Sequence, residues 1–237
     1  MFEQIKNIKT EDNTTWSGKV FISFDIDWAI DEVLCDLLDL LEGYKIKATL
    51  FNTHQTDTLE KLGANFELGI HPNFNFLLNG DFRYGKSYRE VIEYYKQIHP
   101  TAISVRSHSL VQSTILSQEF FEFGLRLESN HFIPFSSNIK IKPFRTSENR
   151  ISYIPFTWID SFHFREEFDK NVFKHLENDS FKNFVFHPIH VYLNTENFAR
   201  YNDARPHFQD YKNLKKLINK NTYGARDFLK DILCNAV

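Results

Sequence analysis

The chain has 237 residues, of which 42 % are hydrophobic and 16 % aromatic, and its formal net charge at pH 7 is -3. This composition supplies ample apolar surface for one core, argues against disorder, and suits a single α/β domain of barrel length. The small negative charge argues against a protein that grips nucleic acid or an anionic membrane through a basic surface.

The N-terminal stretch MFEQIKNIKTEDNTTWSGKV lacks the apolar segment of a signal peptide, and no run approaches the ~20 apolar residues of a membrane helix. Cys35 and Cys234 lie far apart and predict free thiols instead of a disulfide framework. We therefore expect a cytoplasmic protein without stable membrane insertion. Its oligomeric state is left open.

Short apolar strands alternate with amphipathic helices along the chain. Clear helical stripes occur at 29–41 and 86–99, and weaker ones within 211–234. Alternation of strand and helix predicts a parallel sheet, and seven strands in this length favour a barrel. We expect the stretch 194–210 to be a long irregular loop. The predicted strands are KVFISFD (19–25), KIKATLFN (45–52), ANFELGIH (64–71), TAISVRSH (101–108), FGLRLES (123–129), RISYIPF (150–156) and KNFVFHP (182–188).

Titratable side chains recur at the C-terminal ends of four of these strands. Alternate residues of a strand face the same side, so Asp25 and Asp27 share one face, and so do Arg106 and His108. The carboxyl ends of parallel strands carry the active site in α/β folds. We therefore expect one site formed by the last titratable residue of each strand: Asp27, His71, His108 and His187.

Each of these residues also has an ordinary structural interpretation. Asp27 could be the N-cap of the following helix, Arg106 could form a surface ion pair, and a lone histidine is more often structural than a ligand. Four such residues at four strand ends favour a site over four separate structural roles.

Five of the strand motifs together resemble the polysaccharide deacetylase superfamily, carbohydrate esterases with a deformed seven-stranded barrel of the TIM type. The motifs are SFDID, ATLFN, GIH, VRSH and FVFHP, and the resemblance spans residues 19 to about 190. It implies one barrel domain over 1–237, with the helices of 211–234 lying beyond the motif region.

The resemblance also implies roles for the residues that match its motifs. Asp25 matches the general base, and Asp27 and His71 match metal ligands. Arg106 matches the arginine that lies against the base, and His187 matches the general acid. The implied cofactor is a divalent metal ion, and zinc is the one we expect.

The chain departs from the superfamily pattern at the third metal ligand. Where the family has a second metal histidine, this chain has Asn75, and an amide oxygen is a poorer zinc ligand than imidazole. His108 shares a face with Arg106, so we expect it to replace the missing ligand. Asn75 could instead complete the metal shell or bind substrate. The motifs GIHPNFN, RSHSL and FHPIHVYLN resemble a divergent subgroup of deacetylases from O-antigen gene clusters.

Five further residues near the strand ends are candidates. Asp160 could support Arg106, as the acid of the family's fourth motif does. Trp158 could stack on a sugar or belong to the core. His190 lies three residues after His187 and could stand behind it, as Asn130 and His131 could line the mouth.

These features predict a metal-dependent hydrolase that removes an N-acyl group from a sugar, and acetyl is the acyl group we expect. The missing signal peptide favours an intracellular substrate, such as a nucleotide-linked or lipid-linked sugar or an oligosaccharide precursor. Two alternatives remain open, namely a hydrolase of a non-sugar amide and a carbohydrate-binding pseudoenzyme without metal.

Overall fold

A single sheet organises the protein, whose computed structural model describes residues 1–27, 29–146, 150–165, 171–177 and 180–236. All the predicted strands are present in it, with shorter bounds. In chain order the described strands are β1 Phe2–Glu3, β2 Val20–Asp25, β3 Ala48–Asn52, β4 Phe66–Ile70, β5 Ser104–Val105, β6 Leu127–Glu128, β7 Phe144–Arg145, β8 Ser152–Tyr153, β9 Trp158–Ile159 and β10 Lys182–Phe186.

The strands pair in the order β7-β8-β6-β5-β4-β3-β2-β10-β9, and β1 joins the edge of β2. Every pair is parallel except that of β7 with β8. β9, at one end of this order, and β8, next to the end strand β7 at the other, are halves of one extended segment, residues 151–159. Its first half pairs with β6, and its second half pairs with β10.

This shared segment curls the sheet into a ring of seven strands. Between its halves, the Ile154 amide donates to the Glu128 carbonyl at 2.8 Å, and the Phe156 amide donates to the His131 carbonyl at 3.0 Å. The segment thus leaves one neighbour and joins the other without a break in the chain. The predicted α/β fold with a deformed barrel is confirmed, and the deformation lies at this corner.

Helices cover the outside of the ring. The helices predicted at 29–41 and 86–99 are present, and among described residues no helix is long and apolar enough to cross a membrane. The described helices are α1 Asp31–Gly43, α2 Asp57–Glu60, α3 Asn75–Leu78, α4 Tyr88–Ile98, α5 Thr114–Glu122, α6 Asp160–His163, α7 Val172–Leu176, α8 Pro188–Leu193, α9 Phe198–Ala204, α10 Tyr211–Leu214 and α11 Ala225–Asn235.

The expectation of an irregular loop over 194–210 is wrong, because α9 lies within it. Asn197 caps this helix, with its Oδ1 atom accepting from the Arg200 amide at 3.0 Å. Phe198, Tyr201 and Ala204 follow at the three-residue spacing of one helical face. A short polar stretch with few aliphatic residues had concealed that spacing.

The two faces of the barrel strands have different environments. Ile22 and Phe24 of β2 face outward and pack with the buried apolar stripe of α1 in the largest core cluster. Thr49 and Glu67 face inward, where the Thr49 hydroxyl donates to the Glu67 carboxylate at 2.8 Å. The Lys6 amide donates to the same carboxylate, so the N-terminal segment closes the lower end of the barrel. The upper end is left for polar side chains.

Gly69 provides space at a crowded point of the interior. A Cβ atom built there would lie 2.7 Å from the Phe51 ring and 2.8 Å from the Ser104 carbonyl oxygen. Neither the ring nor the backbone oxygen can withdraw easily, because both are buried between strands. The close approach of three strands therefore requires glycine at this position.

We expect Gly69→Ala to lower the free energy of unfolding by about 1–3 kcal/mol, because one added methyl overpacks the interior. Urea denaturation followed by circular dichroism measures the change. Gly63→Ala is the matched control, since a Cβ atom there meets nothing within 4 Å. Equal stability of the two variants would contradict the proposed packing constraint.

Candidate active site

A cavity of about 340 Å³ lies at the C-terminal ends of the barrel strands. It is open to solvent and has both acidic and aromatic walls. The titratable residues predicted at the four strand ends all line it. They are Asp25, Asp27, His71, His108 and His187.

Arg106 lies beneath this cavity, with no exposed surface. Its Nη1 atom donates to Asp25 Oδ1 at 2.8 Å, and its Nη2 atom donates to the hydroxyls of Ser23 and Ser129 at 2.9 and 2.8 Å. Burial lowers the pKa of Arg106, and the Asp25 carboxylate opposes that change. The alternative of a surface ion pair is therefore wrong, and Asp25 is held as a partner of a buried cation.

Asp27 is the meeting point of two imidazoles. His71 Nε2 lies 3.2 Å and His108 Nδ1 lies 2.6 Å from the same oxygen, Asp27 Oδ2. The N-cap of α1 is Ile30, so the alternative that Asp27 caps this helix is wrong. We call Asp27, His71 and His108 the triad.

The triad fits a divalent metal ion by its chemistry. One ligand atom from each residue lies within 4.8 Å of the others, and one carboxylate with two imidazoles is a donor set found in catalytic zinc sites. Burial would raise the pKa of Asp27, but the two histidines hold it well below its usual range. Burial would lower the pKa of His71, but Asp27 and Asp25 raise it. The carboxylates thus favour a positive charge between them.

A strained turn directly follows His108 and places its ring beside Asp27 and His71. Ser109 and Leu110 both have positive φ angles, 55° and 56°. Left-handed backbone at a non-glycine residue costs of order 1–3 kcal/mol, and it is rarest at bulky residues such as leucine. The structure does not place Asn75 in the triad. Its Nδ2 atom donates instead to Ser109 Oγ at 2.9 Å.

His187 stands on the other side of the cavity and is paired with Asp160. The His187 amide donates to Asp160 Oδ2 at 2.7 Å, and His187 Nδ1 lies 2.7 Å from Asp160 Oδ1. Burial would lower the pKa of His187, but the Asp160 carboxylate raises it to about 9. The expected support of Arg106 by Asp160 is wrong, because the carboxylate is engaged by His187.

Trp158 belongs to the core and does not reach a sugar. Its side chain is fully buried and stacks on the ring of Phe228 at a centroid distance of 4.4 Å. The expectation that it could stack on substrate is therefore wrong. Ile159 lines the cavity, so the neighbouring Trp158 lies on the other face of β9 and points into the outer layer of helices.

His190 lies beside His187 at the cavity, with their ring centroids 5.4 Å apart. Burial lowers the pKa of His190 to about 4, so its imidazole is neutral at pH 7. Asp160, His187 and His190 form a second group of possible metal ligands. In that group both carboxylate oxygens of Asp160 already contact His187, which makes it a poorer metal site than the triad.

Sequence reasoning missed the residues that hold the site from behind. Arg106 Nε donates a hydrogen bond to the Ser129 carbonyl oxygen at 2.9 Å, in addition to the bond that the Ser129 hydroxyl accepts from Nη2. The expectation that Asn130 lines the mouth is wrong, because it is not part of the cavity wall. Its Oδ1 atom accepts a hydrogen bond from the Ser107 amide at 2.7 Å. The face rule used for the other strands could have found Ser129, which follows β6 on the face of Leu127. Tyr201, on α9, had no such signal.

An α/β barrel that gathers its titratable side chains at the C-terminal ends of its strands has the layout of an enzyme. The family model of WbmS-like polysaccharide deacetylases matches residues 22–205. The chain belongs to this family.

The chain is also similar to solved structures. Bordetella bronchiseptica WbmS, described as a candidate polysaccharide deacetylase involved in O-antigen biosynthesis, is 37 % identical over 100 % of this chain and 98 % of its own, with a TM-score of 0.90. A candidate polysaccharide deacetylase from Mycobacterium smegmatis is 13 % identical over 71 % and 76 %, with a TM-score of 0.48. A carbohydrate esterase family 4 pseudoenzyme from Bacillus anthracis is 13 % identical over 73 % and 55 %, with a TM-score of 0.43. No curated protein matches the chain.

We expect Asp160→Asn to lower the pKa of His187 from about 9, because burial then acts without the opposing carboxylate charge. His187 would lose its proton at a lower pH. Side-chain NMR titration of the imidazole measures this change directly, and Asp203→Asn, an exposed residue of α9, is the control. An unchanged His187 titration in Asp160→Asn would show that another group sets this pKa.

Proposed function

We propose that this protein is a divalent-metal-dependent deacetylase that hydrolyses an N-acyl group on a sugar of a surface polysaccharide or its precursor. The preferred acyl group in this proposal is acetyl. The observation that carries the proposal is the placement of an arginine-bound acid, a metal-capable triad and a protonated histidine around one cavity. Membership of the deacetylase family supports the reaction class. The O-antigen description of the Bordetella relative supports the choice of substrate.

Asp27, His71 and His108 would hold the metal ion, and their one-oxygen, two-nitrogen donor set makes zinc the first choice. A bound divalent cation supplies Lewis acidity, which polarises an acyl carbonyl and lowers the pKa of water. A ligand must be deprotonated, and the raised pKa of His71 means that a proton would compete with a metal ion there. Loading should therefore weaken as the pH falls.

Asp25 is the proposed general base. Its Oδ1 atom is bound by Arg106, so the same carboxylate can receive a proton from the attacking water on its other oxygen. The water oxygen forms a bond to the acyl carbon. Arg106 keeps Asp25 oriented for that step through the hydrogen bond to its Oδ1 atom.

His187 is the proposed general acid. When the bond from the acyl carbon to the sugar nitrogen breaks, the nitrogen needs a proton, and His187 holds one at neutral pH. Asp160 stabilises that protonated imidazole and fixes its Nδ1 side, which leaves Nε2 for the leaving amine. The products are the free carboxylic acid and an amino sugar.

The surroundings of the site support a saccharide substrate. Aromatic rings of Phe132, Phe162 and Tyr201 line the cavity beside the acids. A second open cavity, of about 850 Å³, also reaches Asp27 and has Tyr84 in its wall. Aromatic faces with nearby polar groups suit sugar rings, which present both C–H faces and hydroxyls.

We expect Asp27→Ala and His71→Ala to weaken zinc binding more than about 100-fold, because each removes a direct ligand, whereas loss of an outer contact costs 10–100-fold. Competition with a chromophoric chelator measures the affinity, and Asp39→Ala, an exposed residue of α1, is the control. A wild-type protein that bound neither zinc nor cobalt would overturn the proposal and favour the pseudoenzyme alternative.

We expect Asp25→Asn to keep zinc affinity within a few-fold of wild type and to lower kcat by about 10²–10⁴-fold, because an amide cannot accept the proton. Acetate release from N-acetylated oligosaccharides, followed with zinc-loaded protein, measures the rate. Full activity in Asp25→Asn would show that the base is wrongly assigned.

A further inference from the structure

The two histidines of the triad come from chain segments that are far apart in sequence. His71 follows β4, and His108 follows β5, with β4 and β5 paired at Ile70 and Val105. The Arg106 amide donates to the Ile70 carbonyl at 3.1 Å, and the strands end beyond these pairs. The imidazole rings stand edge to face, with centroids 5.5 Å apart.

Two hydrogen bonds join these segments beyond the sheet. The His108 amide donates to the Pro72 carbonyl at 2.9 Å, and Asn75 Nδ2 donates to Ser109 Oγ at 2.9 Å. The residue after each histidine, Pro72 or Ser109, thus takes part in a hydrogen bond to the other segment. Asn75 is itself anchored at the start of α3, because its backbone amide donates to Asn73 Oδ1 at 3.0 Å.

The Asn75 link acts on the strained part of the chain. Ser109 and Leu110 hold left-handed backbone that is unfavourable for their residue types. Relaxation of Ser109 toward ordinary backbone would swing the adjacent His108 ring. A hydrogen bond to the Ser109 hydroxyl opposes that movement, whereas on the other side the buried Asn130 side chain holds the Ser107 amide.

We infer that Asn75 is a positioning residue for the metal site, which acts through Ser109 to hold His108 at ligand distance from His71 and Asp27. The inference rests on the metal site of the proposed function. Asn75 contributes no ligand atom in this arrangement. Its amide sets the place of a ligand on a neighbouring segment, as outer partners of metal ligands do.

Zinc affinity tests the inference with Asn75→Ala, Ser109→Ala and the double variant. Each single change removes the same hydrogen bond, so each should weaken zinc binding about 10-fold. The double variant should lose no more than either single one, because the bond is already gone. Asn79→Ala, an exposed residue at the end of α3, is the matched control and should bind zinc as wild type does.

A second readout separates positioning from folding. With cobalt in place of zinc, the visible spectrum reports the coordination geometry, and Asn75→Ala should alter its band intensities. Urea unfolding of the metal-free protein shows that each variant is folded. A structural effect alone would move the unfolding midpoint and leave the cobalt spectrum unchanged.

The possible results decide the matter separately for Asn75 and for the site. Zinc affinity of Asn75→Ala within twofold of Asn79→Ala would overturn the positioning role. A loss as large as that of His71→Ala would also overturn it, since Asn75 would then be a ligand. Unchanged zinc affinity in His108→Ala would show that the proposed metal site itself is wrong.

Discussion

Inside the barrel, the guanidinium of Arg106 carries a charge that is completely removed from water. Such a charge is tolerated only where a carboxylate and further hydrogen-bond acceptors surround it. Asp25 supplies the carboxylate, and Ser23 of β2 and Ser129, which follows β6, supply hydroxyl oxygens. The guanidinium carbon also lies 4.4 Å from the centre of the Phe51 ring. Arg106 itself follows β5, and its partners lie on β2 and β3 or follow β6, so these contacts fix how the four strands stand around the interior.

The buried pair also determines the depth at which the chemistry occurs. Side chains alternate along a strand, so the next inward position beyond Asp25 is Asp27, and the next beyond Arg106 is His108. The ion pair therefore occupies one layer, and the triad occupies the layer above it. The positions of the proposed base below and of the proposed metal site at the mouth follow from one strand register. A shift of either strand by one residue would turn both layers outward.

This regularity explains why much of the fold and site was predictable from the sequence. The period of a strand is local, so it indicates which residues share a face before any neighbour is known. It fails where a strand ends. Trp158 and Asp160 have the spacing of one face, but β9 ends at Ile159 and α6 begins at Asp160. Trp158 therefore packs outward against Phe228, and Asp160 turns toward His187. Both partners come from distant segments that the local pattern does not reveal.

The His108 side of the site has the opposite character from the Arg106 side. Arg106 lies inside the ring and is held by several contacts, whereas His108 lies where the strands have ended, with 19 % of its side chain exposed. Positive φ angles at Ser109 leave no trace in a hydrophobic pattern, and serine is not a residue that signals them. A side chain in such a position depends on contacts made one by one. The rigid interior therefore accounts for the position of the proposed base, and the side chains that anchor the turn account for that of the proposed third ligand.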